Sequence, residues 1–309
     1  MTYPKPILLT GCTSSGKSKL AKELALLRPS LIINADALQV YDCWNLITAR
    51  PTYVDMLEFE HALYGHISYN TKYAVSAWLN ELKQQLIYAE KMQLRPIIVG
   101  GTGLYFTLLT EGISEIPPIS IETSETASKL LKSQPQKLLS DLEKFDPQTY
   151  NSIDKTNFSR IQRAWEVLIQ TGRGIRYWQE TVSPPILPID DVVPIILSCS
   201  NTDLNIRIKI RLKKMIEHGG IEEVRKVTEK AGGESKNMTA FRAIGVEEIR
   251  QFIENKIDMT TLEQSILIKT RQYAKKQRTW FRNKFVNWRI VSFARQENFK
   301  YLAQHIEKI

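Results

Sequence analysis

Residues 6–24 read PILLTGCTSSGKSKLAKEL and combine an apolar run, a glycine-containing turn and a segment with helical spacing. Gly11, Gly16, Lys17 and Ser18 complete the pattern G-x-x-x-x-G-K-[ST]. In such a P-loop, backbone N–H groups and the positive end of the following helix converge on phosphate oxygens, and the lysine adds a point charge. The serine hydroxyl is placed to reach a magnesium ion that bridges the phosphates. The stretch therefore predicts a loop that binds a di- or triphosphate, but it does not identify the compound.

The first hundred residues alternate between apolar strands and amphipathic helices. This alternation predicts an α/β core: a P-loop NTPase-like parallel sheet with helices on both faces and ligands at the carboxyl ends of the strands. The segments NADALQVY and GGTGLYF also follow strands, so we expect them to meet the P-loop at one cleft. The predicted strands are 6–10, 31–35 and 95–100, and the predicted helices are 17–28 and 73–93.

A change of character marks a second domain. A proline-bearing connector begins near residue 113, and residues 125–182 predict helices without a convincing strand. A second proline cluster precedes PIILSCS, where the buried-strand pattern resumes, and WRIVSF is a candidate final strand. We therefore expect a P-loop core of residues 1–112 and 194–309, with a basic helical C-terminal part, and an all-helical insertion domain at 113–193.

The composition restricts the class of protein. A chain of 309 residues with 43% hydrophobic content is long enough to form a globular core. Its apolar runs are far shorter than the ~20 residues that a membrane span needs, and no signal peptide is recognisable, so we expect a cytoplasmic protein without a membrane partner. The 3 cysteines form no C-x-x-C pair, which argues against a disulfide framework or a zinc site. Cys12 in the P-loop is read as a packing residue rather than a reactive thiol.

The basic residues are concentrated in the last third of the chain. The formal charge is +9, and residues 201–309 carry 23 Lys and Arg against 13 Asp and Glu. The segment 269–285 contains seven basic residues and no acidic one. Cations beside aromatic residues suit a structured nucleic acid, although a solvated basic helix face is the alternative. The helical spacing forms a cationic stripe of Arg271, Lys275, Arg278 and Arg282.

Two further residues are candidates for chemistry. Asp36 follows the second predicted strand, where it can act as a general base or simply cap a turn. Arg211 shares a helix face with Arg207, and a helix after a core strand can aim an arginine at the P-loop. The strand at 95–100 ends in glycine, where many P-loop hydrolases place a magnesium-ordering aspartate, so the ATPase interpretation is weakened.

Taken in order, the motifs resemble the tRNA dimethylallyltransferase family along nearly the whole chain. GCTSSGKS is similar to the family's GPTASGKT, INADALQVY to ISADSxQVY, and VGGTGLYF to the identical family motif. Later, NFSRIQRAWEV is similar to NxxRxxRALEV, RIKIRLKKMIEHGGIEEVR to RIxxRxxxMxxxGLxxEV, FRAIGVEEI to xxAIGYKE, and TRQYAKKQRTWFRN to TRQYAKRQxTWFR. No Cys/His finger of the type that eukaryotic members carry is present, which favours the bacterial type.

The resemblance implies that the P-loop holds dimethylallyl diphosphate, with Mg²⁺ at Ser18. The exocyclic amine of the adenine 3′-adjacent to the tRNA anticodon would attack the allylic carbon, and diphosphate would leave. Asp36 would take the amine proton, while Lys17 and Arg211 would stabilise the leaving group. The implied diphosphate-binding residues are Gly11, Cys12, Thr13, Ser14, Ser15, Gly16, Lys17, Ser18 and Arg211. The implied tRNA-binding residues are Asp36, Ala37, Leu38, Gln39, Thr102, Ser159, Arg160, Arg163, Arg271, Lys275, Arg278 and Arg282.

Some positions depart from the family pattern. Ala37 replaces the usual serine, and Asn45 and Ile47 replace an aspartate and a glycine in the loop behind Asp36. Three alternatives remain open: a P-loop small-molecule kinase, an adenylate isopentenyltransferase acting on a free nucleotide, and a nucleic-acid-binding module with a vestigial phosphate loop. The expected partners are a tRNA anticodon stem-loop and dimethylallyl diphosphate, and we expect a monomer.

Overall fold

The computed structural model describes residues 4–232, 238–293 and 298–308. These residues form one six-stranded parallel sheet in the order β3-β2-β4-β1-β5-β6. The predicted α/β class is therefore confirmed, and the candidate strand in WRIVSF is β6. The strands are β1 (Ile7–Gly11), β2 (Ser30–Asn34), β3 (Glu60–Ala62), β4 (Arg95–Gly100), β5 (Val193–Ser198) and β6 (Arg289–Ser292).

Helices connect and cover the strands. No helix within the described ranges is both long enough and apolar enough to span a membrane. The helices are α1 (Lys17–Leu27), α2 (Tyr53–Glu58), α3 (Val75–Lys91), α4 (Gly103–Glu111), α5 (Ile121–Ser133), α6 (Pro135–Phe145), α7 (Pro147–Ser152), α8 (Phe158–Thr171), α9 (Ile175–Gln179), α10 (Asn201–Glu217), α11 (Gly220–Ala231), α12 (Val246–Ile253), α13 (Met259–Lys284) and α14 (Phe299–Ile306).

Both faces of the sheet are covered. Leu9 and Val99 pack with α1 and α14 in one hydrophobic cluster. Leu8, Ile33 and Ile98 point to the opposite face, because side chains alternate along a strand, and they are also fully buried. Strands that are buried on both faces require continuous apolar runs, which is why the sequence pattern of the central strands is uninterrupted.

The chain divides into two compact units. The first comprises Met1–Thr110 and Leu187–Ile309, and the second is Glu111–Ile186. The sequence placed the end of the insertion at 193, whereas residues after 186 belong to the first unit. The N–H of Leu187 donates to the carbonyl oxygen of Leu109 at 3.2 Å, and this bond attaches the chain before β5 to the core unit.

The second unit is helical. Its helices α5, α6 and α8 pack around a core that includes Leu138, Ile161 and Trp165. An isolated antiparallel bridge pairs Ser114 with Val182 where the chain enters and leaves the unit.

Candidate active site

Three loops meet at the carboxyl edge of the sheet, after β1, β2 and β4. Since β4 lies between β1 and β2, the residues that follow these strands are neighbours. Gly100 at the end of β4 allows the backbone to approach Ala35 after β2 closely, because a Cβ on Gly100 would lie 2.0 Å from the carbonyl oxygen of Ala35. The N–H of Thr102 also donates to that oxygen at 3.3 Å. The P-loop and the two other predicted loops therefore share one cleft.

The P-loop presents unfilled hydrogen-bond donors. Its backbone is left-handed at Ser14, with φ 61°, and at Gly16, the N-cap of α1, with φ 97°. The hydroxyl groups of Ser14 and Ser15 are buried and have no hydrogen-bond partner among the described residues. Buried hydroxyls are normally satisfied, so this arrangement at a helix N-terminus suits the oxygens of a phosphate group.

The side chain of Lys17, the first residue of α1, contacts the backbone of the P-loop. Its ammonium donates to the carbonyl oxygens of Gly11 and Cys12, at 2.8 Å each. Burial lowers the pKa of Lys17, and the nearby Cys12 and Asp36 oppose that shift. The ammonium is therefore partly desolvated and close to the carboxylate of Asp36, where an incoming phosphate can replace the loop carbonyls as its partner.

Ser18 fits the predicted magnesium position. It lies in the first turn of α1, its side chain is exposed, and its hydroxyl makes no hydrogen bond to the described parts of the chain. One hydroxyl is sufficient in a phosphate site, because Mg²⁺ keeps several waters and takes its other ligands from the phosphates. Within the described ranges, no group of three or more His, Cys, Asp or Glu residues could hold a metal ion.

Arg211 reaches the P-loop from α10. Its Nη1 donates to Oγ1 of Thr13 at 2.8 Å, and its Nη2 donates to the carbonyl oxygen of Ile47 at 3.3 Å. Burial lowers the pKa of Arg211 while the charge of Asp36 raises it, and an arginine remains protonated at neutral pH. A fixed positive charge therefore lies between the P-loop and the loop that follows Asp36.

Asp36 makes the turn contact that was one of the two alternatives the sequence left open. Its Oδ1 accepts a hydrogen bond from the N–H of Leu38 at 3.0 Å, as in an Asx turn. Its own N–H donates to Oδ1 of Asn34 at 2.9 Å, and Nδ2 of Asn34 donates back to the Asp36 carbonyl oxygen at 3.0 Å. Its Oδ2 accepts no hydrogen bond from the residues that the structure describes. One carboxylate oxygen thus holds the turn while the other is available for a proton.

Three tyrosines that the sequence analysis did not select lie within electrostatic reach of Asp36. Burial raises the pKa of Tyr64, Tyr105 and Tyr273, and the charge of Asp36 raises each further. The ring of Tyr105 also stacks on Trp78, with centroids 4.3 Å apart. The phenols therefore remain protonated and add no negative charge near the carboxylate. Tyr105 and Tyr273 stand inside quoted motifs, which is the signal that could have identified them.

The loop after Asp36 is tied to its neighbours. Oγ1 of Thr102 accepts from the N–H of Ala37 at 3.0 Å. Nε2 of Gln39 donates to the carbonyl oxygens of Thr48 and Ala49, at 2.8 Å and 3.3 Å. The amide nitrogen of Gln39 is therefore engaged, and its Oε1 is the end available to a base.

Glu223 supports the loop in which the sequence departs from the family pattern. Its carboxylate accepts hydrogen bonds from the backbone N–H groups of Asn45, Leu46 and Ile47, at distances of 2.7 to 3.1 Å. Ile47 is itself buried in a hydrophobic cluster. Because Glu223 uses only backbone atoms of these residues, the substitutions at 45 and 47 keep the loop attached to α11.

The cationic stripe of α13 is not uniform. Lys275 and Arg282 are exposed, whereas Arg271 and Arg278 are half-buried. Nε of Arg271 is buried without a partner among the described residues.

The position of Arg278 follows from its effect on Cys12. Burial raises the pKa of the Cys12 thiol, and the charges of Lys17 and Arg278 lower it. Arg278 therefore lies near the P-loop, although the sequence grouped it with the tRNA contacts.

Arg207 is a second α10 cation at the P-loop. Its guanidinium lies 4.7 Å from the ring centroid of Phe293 and 5.7 Å from that of Phe299. Its Nη1 would lie 3.2 Å from a Cβ added to Gly16. The sequence placed Arg207 on the same helix face as Arg211 but did not assign it to the site.

The remaining predicted residues belong to the second unit. Ser159, Arg160 and Arg163 are exposed on the first turns of α8. The side chain of Asn157 caps this helix by accepting from the N–H of Arg160 at 3.2 Å, and Nη1 of Arg163 lies 3.9 Å from a carboxylate oxygen of Glu166. These cations are on the surface of their own unit.

Comparison with known proteins gives one consistent result. Residues 39–284 match the family described as IPP transferase. The chain is 42% identical to a tRNA dimethylallyltransferase of Ruegeria sp. (strain TM1040), and the match covers 93% of this chain and 96% of that relative. A solved tRNA delta(2)-isopentenylpyrophosphate transferase of Staphylococcus epidermidis matches with 26% identity, 98% of each chain covered and a TM-score of 0.66. A eukaryotic dimethylallyltransferase has the same fold, with 21% identity, a TM-score of 0.80, and 94% of this chain and 74% of that chain covered.

The sheet, its loops and these relatives define the class of protein as an α/β transferase with a P-loop beside a carboxylate. The chain belongs to the IPP transferase family. The family predicted from the sequence motifs is thereby confirmed.

Proposed function

We propose that this protein transfers the dimethylallyl group of dimethylallyl diphosphate to the exocyclic amine of the adenine 3′-adjacent to the tRNA anticodon. The observation that carries the proposal is that Lys17 and Arg211 both contact the P-loop through hydrogen bonds and both lie within electrostatic reach of Asp36. A proton acceptor and the cations for a leaving diphosphate therefore occupy one site. The similarity to the tRNA dimethylallyltransferase of Ruegeria sp. supports the same reaction.

The donor end of the site holds the leaving group. The N–H groups at the start of α1, the Lys17 ammonium and the Arg211 guanidinium bind the diphosphate oxygens. Negative charge grows on these oxygens as the allylic C–O bond breaks, and groups that are already oriented stabilise that charge without reorganisation. When bound at Ser18, Mg²⁺ supplies further neutralisation of the diphosphate.

The acceptor end of the site activates the amine. Asp36 takes the amine proton on Oδ2 as the new N–C bond forms, and the electron pair of the breaking C–O bond leaves with diphosphate. An adenine stacked in an anticodon loop must be turned out of the stack to reach this position. Tyr64 and Tyr273, which are partly exposed, supply flat surfaces beside the carboxylate for the base and the prenyl group.

Exposed cations provide the contacts for the rest of the tRNA. Lys275 and Arg282 on α13, together with Arg160 and Arg163 on α8, bind backbone phosphates, so the affinity for tRNA should fall with rising salt concentration. We further propose that the enzyme works in the cytoplasm as a monomer, which sedimentation at several concentrations tests.

Incorporation of label from dimethylallyl diphosphate tests the proposal. With Mg²⁺ present, label should appear in an anticodon stem-loop with adenine at the target position and not in one with guanine there. Transfer to free AMP instead would identify the free-nucleotide enzyme. Absence of transfer, together with ATP-dependent phosphorylation of a small acceptor, would identify a kinase.

A further inference from the structure

Gln277 joins two loops of the active site. It lies on α13 and is 6% exposed. Its Oε1 accepts from the backbone N–H of Thr13 in the P-loop, and its Nε2 donates to the carbonyl oxygen of Gly101 after β4, at 2.8 Å each. The orientation of the amide follows from its partners, because one is a backbone donor and the other a backbone acceptor.

The hydrogen bonds of Gln277 connect further to the segment that carries Asp36. Thr102, the neighbour of Gly101, accepts from the N–H of Ala37, and Ala37 is adjacent to Asp36. On the other side, Thr13 accepts from Arg211 through its hydroxyl oxygen. A continuous series of contacts therefore runs from the diphosphate cradle through α13 to the proposed base.

We infer that Gln277 is a positioning residue that sets the distance between the donor diphosphate and Asp36. The inference rests on the proposed function for its kinetic consequence. Because the N–H of Thr13 is engaged by Gln277, the phosphate contacts come from the other loop donors. A small displacement of one loop relative to the other separates the amine from the allylic carbon, and a shift of about 1 Å can reduce a rate about 10²-fold.

The site leaves little room for an alternative contact. A Cβ added to Gly101 would lie 2.4 Å from Nε2 of Gln277, so the amide is in close contact with this backbone. Glutamate has nearly the same shape, but its carboxylate cannot donate to the Gly101 carbonyl oxygen. When protonated, the same carboxyl group recovers that donor.

The kinetic test uses Gln277→Glu, with Gln272→Glu as the matched control. Gln272 is exposed on the same helix, so its variant adds the same charge without touching the loops. We expect the single-turnover rate of Gln277→Glu to fall about 10- to 10²-fold at pH 8, with donor and tRNA affinities changed much less. The deficit should shrink as the pH is lowered to 6, because the introduced carboxyl group becomes protonated. The control should match the unmodified protein at both pH values.

A second readout does not depend on catalysis. In Gln277→Leu, amide hydrogen exchange should accelerate at Thr13 and also at Ala37, while Gln272→Leu should leave both unchanged. If only Thr13 exchanges faster, the two loops are not coupled and the inference fails, whatever the enzyme transfers. An unchanged transfer rate in Gln277→Glu, or a loss without pH dependence that accompanies lowered thermal stability, would also overturn it. Lack of transfer by the unmodified protein would instead refute the proposed function.

Discussion

Replacing Asp36 with asparagine should separate the chemical role of this residue from its role in the turn. The side chain keeps its shape, and its oxygen can still accept the 3.0 Å bond from the N–H of Leu38. The variant loses the proton acceptor at Oδ2 and one negative charge. Loss of a general base reduces rates about 10²–10⁴-fold, which corresponds to about 2.7–5.5 kcal/mol of barrier.

The loss of the Asp36 charge should strengthen the binding of dimethylallyl diphosphate, although it slows transfer. Asp36 lies close enough to Lys17 and Arg211 for its charge to oppose the lowering of their pKa values by burial, so it also repels a diphosphate that binds to these two cations. Removing that repulsion should tighten donor binding by about 1 kcal/mol, or roughly fivefold. The expected signature of Asp36→Asn is therefore slower transfer with stronger donor binding and unchanged tRNA binding.

The assay combines single-turnover transfer, titration calorimetry with dimethylallyl diphosphate, and filter binding of tRNA. Asp42→Asn is the matched control, because Asp42 is exposed in the same loop region. Transfer by Asp36→Asn within a few-fold of the unmodified rate would refute the assignment of the base. A parallel loss of rate and of both affinities would show that Asp36 is only structural.

Three other predictions test the supports of the site. Glu223→Gln should lower the free energy of unfolding by about 2 kcal/mol, because it removes a carboxylate that accepts from three backbone N–H groups. Glu222→Gln on the surface should change the free energy of unfolding little. Chemical denaturation measures both variants, and equal effects would contradict the role of Glu223. The affinity for dimethylallyl diphosphate should fall as the pH rises, with a midpoint below pH 10.5. Only protonated Lys17 attracts the diphosphate, and burial lowers the pKa of Lys17. A constant affinity up to pH 10.5 would contradict this role of Lys17. Gly100→Ala should lower the stability of the fold by about 2–4 kcal/mol, because the added Cβ would lie 2.0 Å from the backbone oxygen of Ala35. A melting temperature like that of the unmodified protein would show that the loops after β2 and β4 do not approach each other as described.

The sequence predicts the central strands closely, because burial on both faces leaves a continuous apolar pattern. Strands predicted at 6–10 and 31–35 are β1 (Ile7–Gly11) and β2 (Ser30–Asn34), each one residue away from the prediction. The pattern misses β3, since Glu60–Ala62 has only three residues at the sheet edge and contains no apolar run. The insertion boundary at 193 also differs from Ile186, and the contact of Leu187 with Leu109 of the core unit is a long-range one that composition does not reveal.

Local motifs and long-range contacts differ in how far they can be predicted. The phosphate loop follows from neighbouring residues, since spacing alone places its lysine and glycines. The contact of Gln277 with Thr13 joins residues 264 positions apart, and no local pattern reveals it. The turn bond of Asp36 was one of two alternatives that the sequence left open, and only the geometry shows that the two carboxylate oxygens have different surroundings.

The central claim is that Asp36 faces the donor diphosphate across the amine of an everted adenine. A crystal structure with an unreactive thio analogue of dimethylallyl diphosphate and an anticodon stem-loop tests it most directly. The account predicts that the adenine amine lies about 2.6–3.2 Å from Oδ2 of Asp36 and opposite the P-loop diphosphate. A bound adenine whose amine contacts another group, with Asp36 turned away from the diphosphate, would contradict it.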